Sequence, residues 1–183
     1  MLTVIIPAYN EESMIARAAE AVHVSLKDCA QAQPYEIVFV NDGSSDRTWE
    51  EICSVAAKDS LVRGVSFSRN FGKEAAIYAG LAEVGTSEED ACVVMDCDLQ
   101  QPPEKIPEMV ALWKEGYEII EGIKSDRGKE SKTHGFFAGL FYKILSGGIG
   151  VDMDAASDFK LLDSRAVKTL LSMPERKTFF RRP

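Results

Sequence analysis

At 183 residues, with 45% hydrophobic and 27% charged side chains, the chain suits one soluble domain, or one domain with an appendage. A formal net charge of −8 argues against nucleic acid as a partner and gives no hint of a broad basic face for a membrane. No apolar run approaches the roughly 20 residues that a bilayer-spanning helix needs, and the opening residues read as a strand rather than a secretory leader.

The first strand is "LTVIIP", a β-branched run closed by Pro7. Asn10 is expected to cap a helix that opens with Glu11 and Glu12, and Ile15, Ala18, Ala19, Val22 and Leu26 give that helix an apolar stripe. "EIVFV" is the second strand, ending at Asn41, and "NDGSSDRT" is a turn with several capping candidates. Trp49, Ile52, Cys53 and Ala56 mark the next helix, "VRGVSFS" a third strand and "GKEAAIYAGLAEV" a third helix. "ACVVMD" is the fourth strand. Pro102 and Pro103 stand where a helix starts, a position that tolerates proline, and Ile106, Met109, Val110 and Trp113 form its stripe. "YEIIEG" is a fifth strand, residues 123–133 a polar loop, "HGFFAGLFYKIL" a helix, and "FKLLD" a short strand before a helix from Arg165.

Strand and helix alternate as far as Gly122. This predicts an α/β fold with a Rossmann-like, mostly parallel central sheet and helices on both faces. Ligands on such sheets bind at the carboxyl ends of the strands. Three clusters stand there: Pro7 to Glu11, Asn41 to Asp46, and Asp96 to Gln100. The first strand is not followed by GxGxxG, and GxxxxGK[ST] is absent, so dinucleotide and P-loop sites are not expected. Cys29, Cys53, Cys92 and Cys97 lack CxxC spacing, and His23 and His134 complete no zinc pattern; reduced thiols in a cytosolic protein are expected.

Asp96 and Asp98 lie one residue apart at a strand end, and Gln100 follows two positions later. Two such acids are unfavourable unless something positive satisfies them. Mg²⁺ or Mn²⁺ does this well, held by one or two carboxylates and substrate phosphates. As an isolated pattern, Asp-x-Asp reads first as a pair of solvated turn acids capping the next helix. Asp42 is open in the same way: its turn binds a base or ribose, or caps a helix.

"VIIPAYNEE", "VNDGSSDRT", "SRNFGKEAAIYAGL", "MDCDLQQPPE" and "SDFKLLDSRAV" occur in an order that resembles family-2 glycosyltransferases over nearly the whole chain. Within that family the resemblance is to polyprenyl-phosphate glycosyltransferases, the group of dolichyl-phosphate mannose synthase and bacterial undecaprenyl-phosphate glucosyltransferases. It implies a single GT-A catalytic domain over residues 1–183 and a nucleoside-diphosphate-sugar donor. It assigns Pro7, Tyr9, Glu11 and Asp42 to the nucleotide pocket and Asp96 to the ribose and diphosphate. Asp98 and Gln100 match ligands of Mg²⁺ or Mn²⁺, with Asp96 beside them, and Asp158 matches an acid near the acceptor. The chain departs from the family pattern at Asn41, Ser157 and Lys160. Lys160 keeps the charge of the usual arginine without its bidentate fork.

The implied reaction is inverting transfer of a sugar to a polyprenyl phosphate at the cytoplasmic face of a membrane. Its catalytic residues are Asp98 and Asp158, the latter a positioning group or a general base. Arg127, Lys129 and Lys160 are the expected cations for the acceptor phosphate, while Lys124 and Lys132 read as solvated. Arg69 and Lys73 either approach the donor or serve the helix start. UDP is expected over GDP, because "SRNFGKEAA" resembles bacterial UDP-sugar users. The end, "SMPERKTFFRRP", reads as the edge of a fragment, with membrane-associated helices expected beyond Pro183. Two other readings stand: a nucleotide-sugar-binding module without turnover, and a sugar nucleotidyltransferase. A homo-oligomer is left open.

Overall fold

The structure, a computed structural model, describes residues 1–122 and 158–173. Strand and helix alternate as β1 (Leu2–Ala8), α1 (Ile15–Leu26), β2 (Tyr35–Asn41), α2 (Thr48–Ala56), β3 (Val62–Ser66), α3 (Lys73–Ala82), β4 (Ala91–Val94), α4 (Ile106–Lys114) and β5 (Ile119–Glu121). Then come β6 (Lys160–Asp163) and α5 (Ser164–Ser172). The six strands form one sheet in the order β3-β2-β1-β4-β6-β5. β1 pairs in parallel with β2 and β4, and β2 with β3, whereas β6 runs antiparallel to both β4 and β5.

Every residue of β1 is buried, as a strand covered on both faces requires. Val4 and Ile6 pack with Ile15, Val22, Ile52 and Met109, on the side of α1, α2 and α4. Ile5 points the other way, among Ile77, Leu81 and Leu170 of α3 and α5. Gly80 allows α3 to lie close on β1, because a Cβ there would stand 2.3 Å from Ile5 Cγ2. The stripe read from Ile15 to Leu26 is buried throughout. Among the described residues, no helix is long and apolar enough to cross a membrane.

The start of α1 differs from the sequence expectation. The helix begins at Ile15 after Met14, with no side-chain cap. Asn10 instead takes a left-handed φ of 56°, a conformation asparagine tolerates better than most residues. Its Oδ1 accepts the Ser45 amide at 2.9 Å, and the Glu11 amide donates to Thr48 Oγ1 at 2.8 Å. The turn after β1 is thus tied to the turn after β2, not to its own helix. Two other boundaries move slightly. A 3-10 turn over Pro103–Lys105 precedes α4, and α5 starts at Ser164, where the Asp163 carboxylate accepts the Ala166 amide at 2.7 Å. The polar loop of residues 123–133 and the "HGFFAGLFYKIL" helix lie outside the described residues.

Candidate active site

The carboxyl ends of β1, β2 and β3 are level: Ala8 pairs with Asn41, and Asn41 with Ser66. β4 ends earlier, at Val94 beside Ile5, and the segment after it carries Asp96 to Asp98 to the same edge. The described residues bound an open cleft of about 290 Å³ at this edge. Six sequence candidates line it: Pro7, Tyr9, Glu11, Asp42, Asp96 and Asp98. Asn70, Gly72 and Lys73 join them from the β3–α3 loop and the first residue of α3.

Asp42 is 3% exposed and uses both carboxylate oxygens on that loop. Oδ1 accepts the Phe71 amide at 2.7 Å and Oδ2 the Gly72 amide at 2.9 Å. Next to it, Gly43 has a left-handed φ of 63°, and a Cβ there would meet the Arg69 carbonyl carbon at 2.2 Å. Only glycine fits both the conformation and the contact. Between them, Asp42 and Gly43 fix the segment that delivers Lys73.

Asp158 reaches the same edge because β6 is reversed. Val94 pairs antiparallel with Lys160. Two residues further out on each strand stand Asp96 and Asp158, facing each other beyond the sheet. Lys73 joins them: its Nζ lies 2.5 Å from Asp96 Oδ1 and 2.6 Å from Asp158 Oδ2. A cation in the first turn of a helix opposes the helix dipole, and these two carboxylates offset that. Burial pulls the Lys73 ammonium down, but its hydrogen bonds to Asp158 and Asp96 outweigh this and hold it above the usual lysine value.

Asp96 has a second partner. Gln101, 6% exposed, donates Nε2–H to Asp96 Oδ2 at 3.2 Å and accepts the Asp96 amide on Oε1 at 2.7 Å. Between these residues, Leu99 adopts a left-handed φ of 59°. Asp98 is exposed, and its Oδ1 accepts the Gln100 amide at 3.0 Å. The Gln100 side chain is exposed and does not line the cleft. Gln101 was missed in the sequence, where two adjacent glutamines carry no signal of which one turns inward. Lys160 also stands off the cleft, on β6, 3.6 Å from Glu121. Arg127 and Lys129 lie outside the described residues.

The cleft is electronegative. Burial raises the Glu11 carboxyl above its ordinary value, and the charges of Asp98, Asp46 and Asp96 raise it further. Burial pushes the Cys97 thiol up to about 12, with help from Glu11, Asp98 and Asp96, so Cys97 is a neutral wall rather than a thiolate. Among the described residues, no three His, Cys, Asp or Glu side chains are grouped to hold a metal alone. Of the two acids after β4, Asp96 is already engaged by Lys73 and Gln101, which leaves Asp98 as the more accessible. Such a donor set fits Mg²⁺ or Mn²⁺ in its common form, one or two carboxylates completed by substrate phosphates and water. It does not fit a dedicated cage.

Fold and cleft define an α/β protein with an acidic ligand site at the carboxyl edge of a mostly parallel sheet. The chain belongs to glycosyl transferase family 2, whose family model matches residues 3–167. It is 36% identical over 180 residues to the uncharacterized glycosyltransferase YkcC of Bacillus subtilis (strain 168), covering 98% of this chain and 54% of that protein. It is 34% identical over 183 residues to the bactoprenol glucosyl transferase of Shigella phage SfV, covering 98% of this chain and 57% of that protein. The chain thus spans little more than half the length of these relatives. In fold it is similar to S. aureus TarS 1-349, with a TM-score of 0.62 and 17% identity over 96% of this chain and 50% of that one. The mannosyltransferase PcManGT from Pyrobaculum calidifontis, solved with GDP-Man and Mn²⁺, gives a TM-score of 0.57 and 23% identity over 68% of this chain and 35% of that one. The sheet and its helices are a GT-A fold, as expected.

Proposed function

We propose that this chain is the donor-binding catalytic domain of an inverting glycosyltransferase. It would move a sugar from a nucleoside-diphosphate sugar, UDP-linked ahead of GDP-mannose, to a polyprenyl phosphate at the cytoplasmic face of a membrane. One observation carries this reading: Asp96 at the end of β4 and Asp158 ahead of β6 are brought together beside the cleft, so donor-side and acceptor-side acids share one edge. The bactoprenol glucosyl transferase similarity supports the acceptor class, and the name of that relative supports glucose among the candidate sugars.

In this reading Pro7, Tyr9, Glu11 and Asp42 form the nucleotide pocket. Asp98, with Asp96 and Gln100 near it, would hold Mg²⁺ or Mn²⁺ on the diphosphate. That ion, when bound, supplies neutralisation of the charge developing on the leaving group. The acceptor phosphate oxygen forms its bond to the anomeric carbon from the face opposite the breaking carbon–diphosphate bond. A phosphate monoester has a second pKa of about 6 and is largely ionised at neutral pH, so it needs no strong base. The Asp158 carboxylate is already paired with Lys73, which favours a positioning role for it over proton abstraction. Lys160, and Arg127 and Lys129 outside the described residues, are the proposed cations for the acceptor phosphate. Membrane association would come from helices beyond Pro183, consistent with the greater length of the relatives.

Calorimetric titration of UDP and GDP, with and without Mn²⁺, tests the donor site. UDP is expected to bind more tightly than GDP, and Mn²⁺ to strengthen it. Asp98→Asn, which keeps the shape and removes the charge, is expected to lose that metal enhancement. Tighter GDP binding would overturn the nucleotide preference, and unchanged metal dependence in Asp98→Asn would overturn the assignment of Asp98. Turnover without a lipid phosphate acceptor, or none with it, would favour the nucleotidyltransferase or the binding-module reading respectively.

A further inference from the structure

Among the described residues, Lys73 is the one cation that lines the cleft. Its ammonium sits within 2.6 Å of both Asp96 and Asp158, on either side of the gap between β4 and β6. Asp158 has a side chain only 2% exposed, whereas Lys73 is 38% and Asp96 26% exposed. The buried acid therefore fixes one end of the bridge and the solvent-facing end points into the donor cleft.

The position of Lys73 is imposed from outside the pair. Asp42 holds the two amides that precede it, at Phe71 and Gly72, and Gly43 seats Arg69 beneath the same loop. The ammonium is thus presented to Asp96 by the fold and does not merely drift toward the nearest charge. A divalent cation approaching Asp96 from the cleft meets this fixed positive charge a few ångströms away. At such separations, like-charge repulsion in a half-buried site is enough to lower affinity by on the order of tenfold. A diphosphate bound in the cleft reverses the balance, because its negative charge answers both the ammonium and the incoming ion.

We propose that Lys73 is a positioning residue that serves as a resident counter-ion: by bridging Asp96 and Asp158 it prevents the cleft from holding a divalent cation alone, so that cation and diphosphate bind together. This deepens the donor-site reading and rests on it for the identity of the diphosphate. The effect of Lys73 on the cation alone is independent of that reading. It also gives Lys73 a part in joining the donor side to the acceptor side, since Asp96 and Asp158 share its charge.

The test is Mn²⁺ binding without nucleotide, read as free Mn²⁺ by electron paramagnetic resonance, on the chain described here. Lys73→Met keeps much of the length and removes the charge; it is expected to bind Mn²⁺ on the order of tenfold more tightly than the natural chain. Lys73→Arg keeps the charge and is expected to behave like the natural chain. Adding UDP is expected to strengthen Mn²⁺ binding to the natural chain markedly and to Lys73→Met much less, because the variant no longer depends on the diphosphate. Equal Mn²⁺ affinity in Lys73→Met and the natural chain, without nucleotide, would overturn the proposal. Failure of UDP to strengthen Mn²⁺ binding to the natural chain would instead overturn the donor-site reading. If Lys73→Met does not fold by circular dichroism, Asp158→Asn decides. It leaves the whole ammonium charge on Asp96 and is expected to bind Mn²⁺ no more tightly than the natural chain; tighter binding would overturn the proposal.

Discussion

Glu11 is a charge held against its own preference. Burial first, then Asp98, Asp46 and Asp96, raise its carboxyl above the ordinary value of 4.5. A carboxyl raised in the folded state stabilises the protein while it is protonated, and loses that contribution as pH rises through the raised value. At neutral pH the ionised Glu11 therefore weakens the fold. Glu11→Gln is expected to raise Tm at pH 7, without metal or nucleotide, by on the order of a few degrees. Near pH 4 the two proteins should converge, and donor binding with Mn²⁺ should weaken in the variant. Thermal scans at both pH values check this; a variant less stable at pH 7 would contradict it. At this scale the sequence was readable where a residue follows directly on a parallel strand. Tyr9, Glu11, Asp42, Asp96 and Asp98 reach the cleft for that reason, and Pro7 does so as the penultimate residue of β1. Sequence alone leaves Lys73 between a donor role and a helix start, because its direction depends on how Asp42 pins the loop. Asp158 came from family resemblance alone, since a reversed strand puts its acid before the strand and not after it.

Between elements, Glu36 on β2 links three strands. It accepts from Thr3 Oγ1 on β1 at 3.0 Å and from Arg63 on β3 at 2.8 and 3.1 Å. Arg63 also reaches Glu83, just past α3, at 2.6 Å. Burial raises the Glu36 carboxyl, but the hydrogen bonds and charge of Arg63, with Thr3, outweigh it and leave it below its ordinary value of 4.5. A carboxyl lowered in this way stabilises the fold above its unfolded value and loses that contribution as pH falls through the folded value. Glu36→Gln is expected to cost about 1–2 kcal/mol at pH 7, the range for a partly exposed charged hydrogen bond. Its stability should fall less steeply than that of the natural chain below about pH 4.5. Urea unfolding at pH 7, 5 and 3 measures both; parallel pH curves would remove Glu36 from the account. Strands were legible because buried parallel strands read as continuous apolar runs. The start of α1 was not, because Asn10 looks like a local cap and is claimed instead by the turn after β2. Nor does "KLLD" carry any mark of its direction.

For the whole molecule, the place of β6 sets an order of assembly. β3, β2, β1 and β4 form a parallel unit contained within residues 2–94. Among the described residues β5 pairs only with β6, whose residues 160–163 arrive from almost 40 positions later in the chain. Bringing β6 between β4 and β5 closes a further loop, an entropic cost added to the one that the β1–β4 pairing already bears. Hydrogen exchange in low denaturant is expected to show β5 and β6 opening together, more readily than β1 and β2; β6 amides protected as strongly as those of β1 would contradict this. During synthesis the half that carries the cleft then takes shape first, while Lys73 waits for Asp158. A chain cut short after Asp98 would retain every described residue that lines the cleft and lose Asp158, the acid that pairs with Lys73, so under the proposed function truncation would part donor binding from engagement of the acceptor.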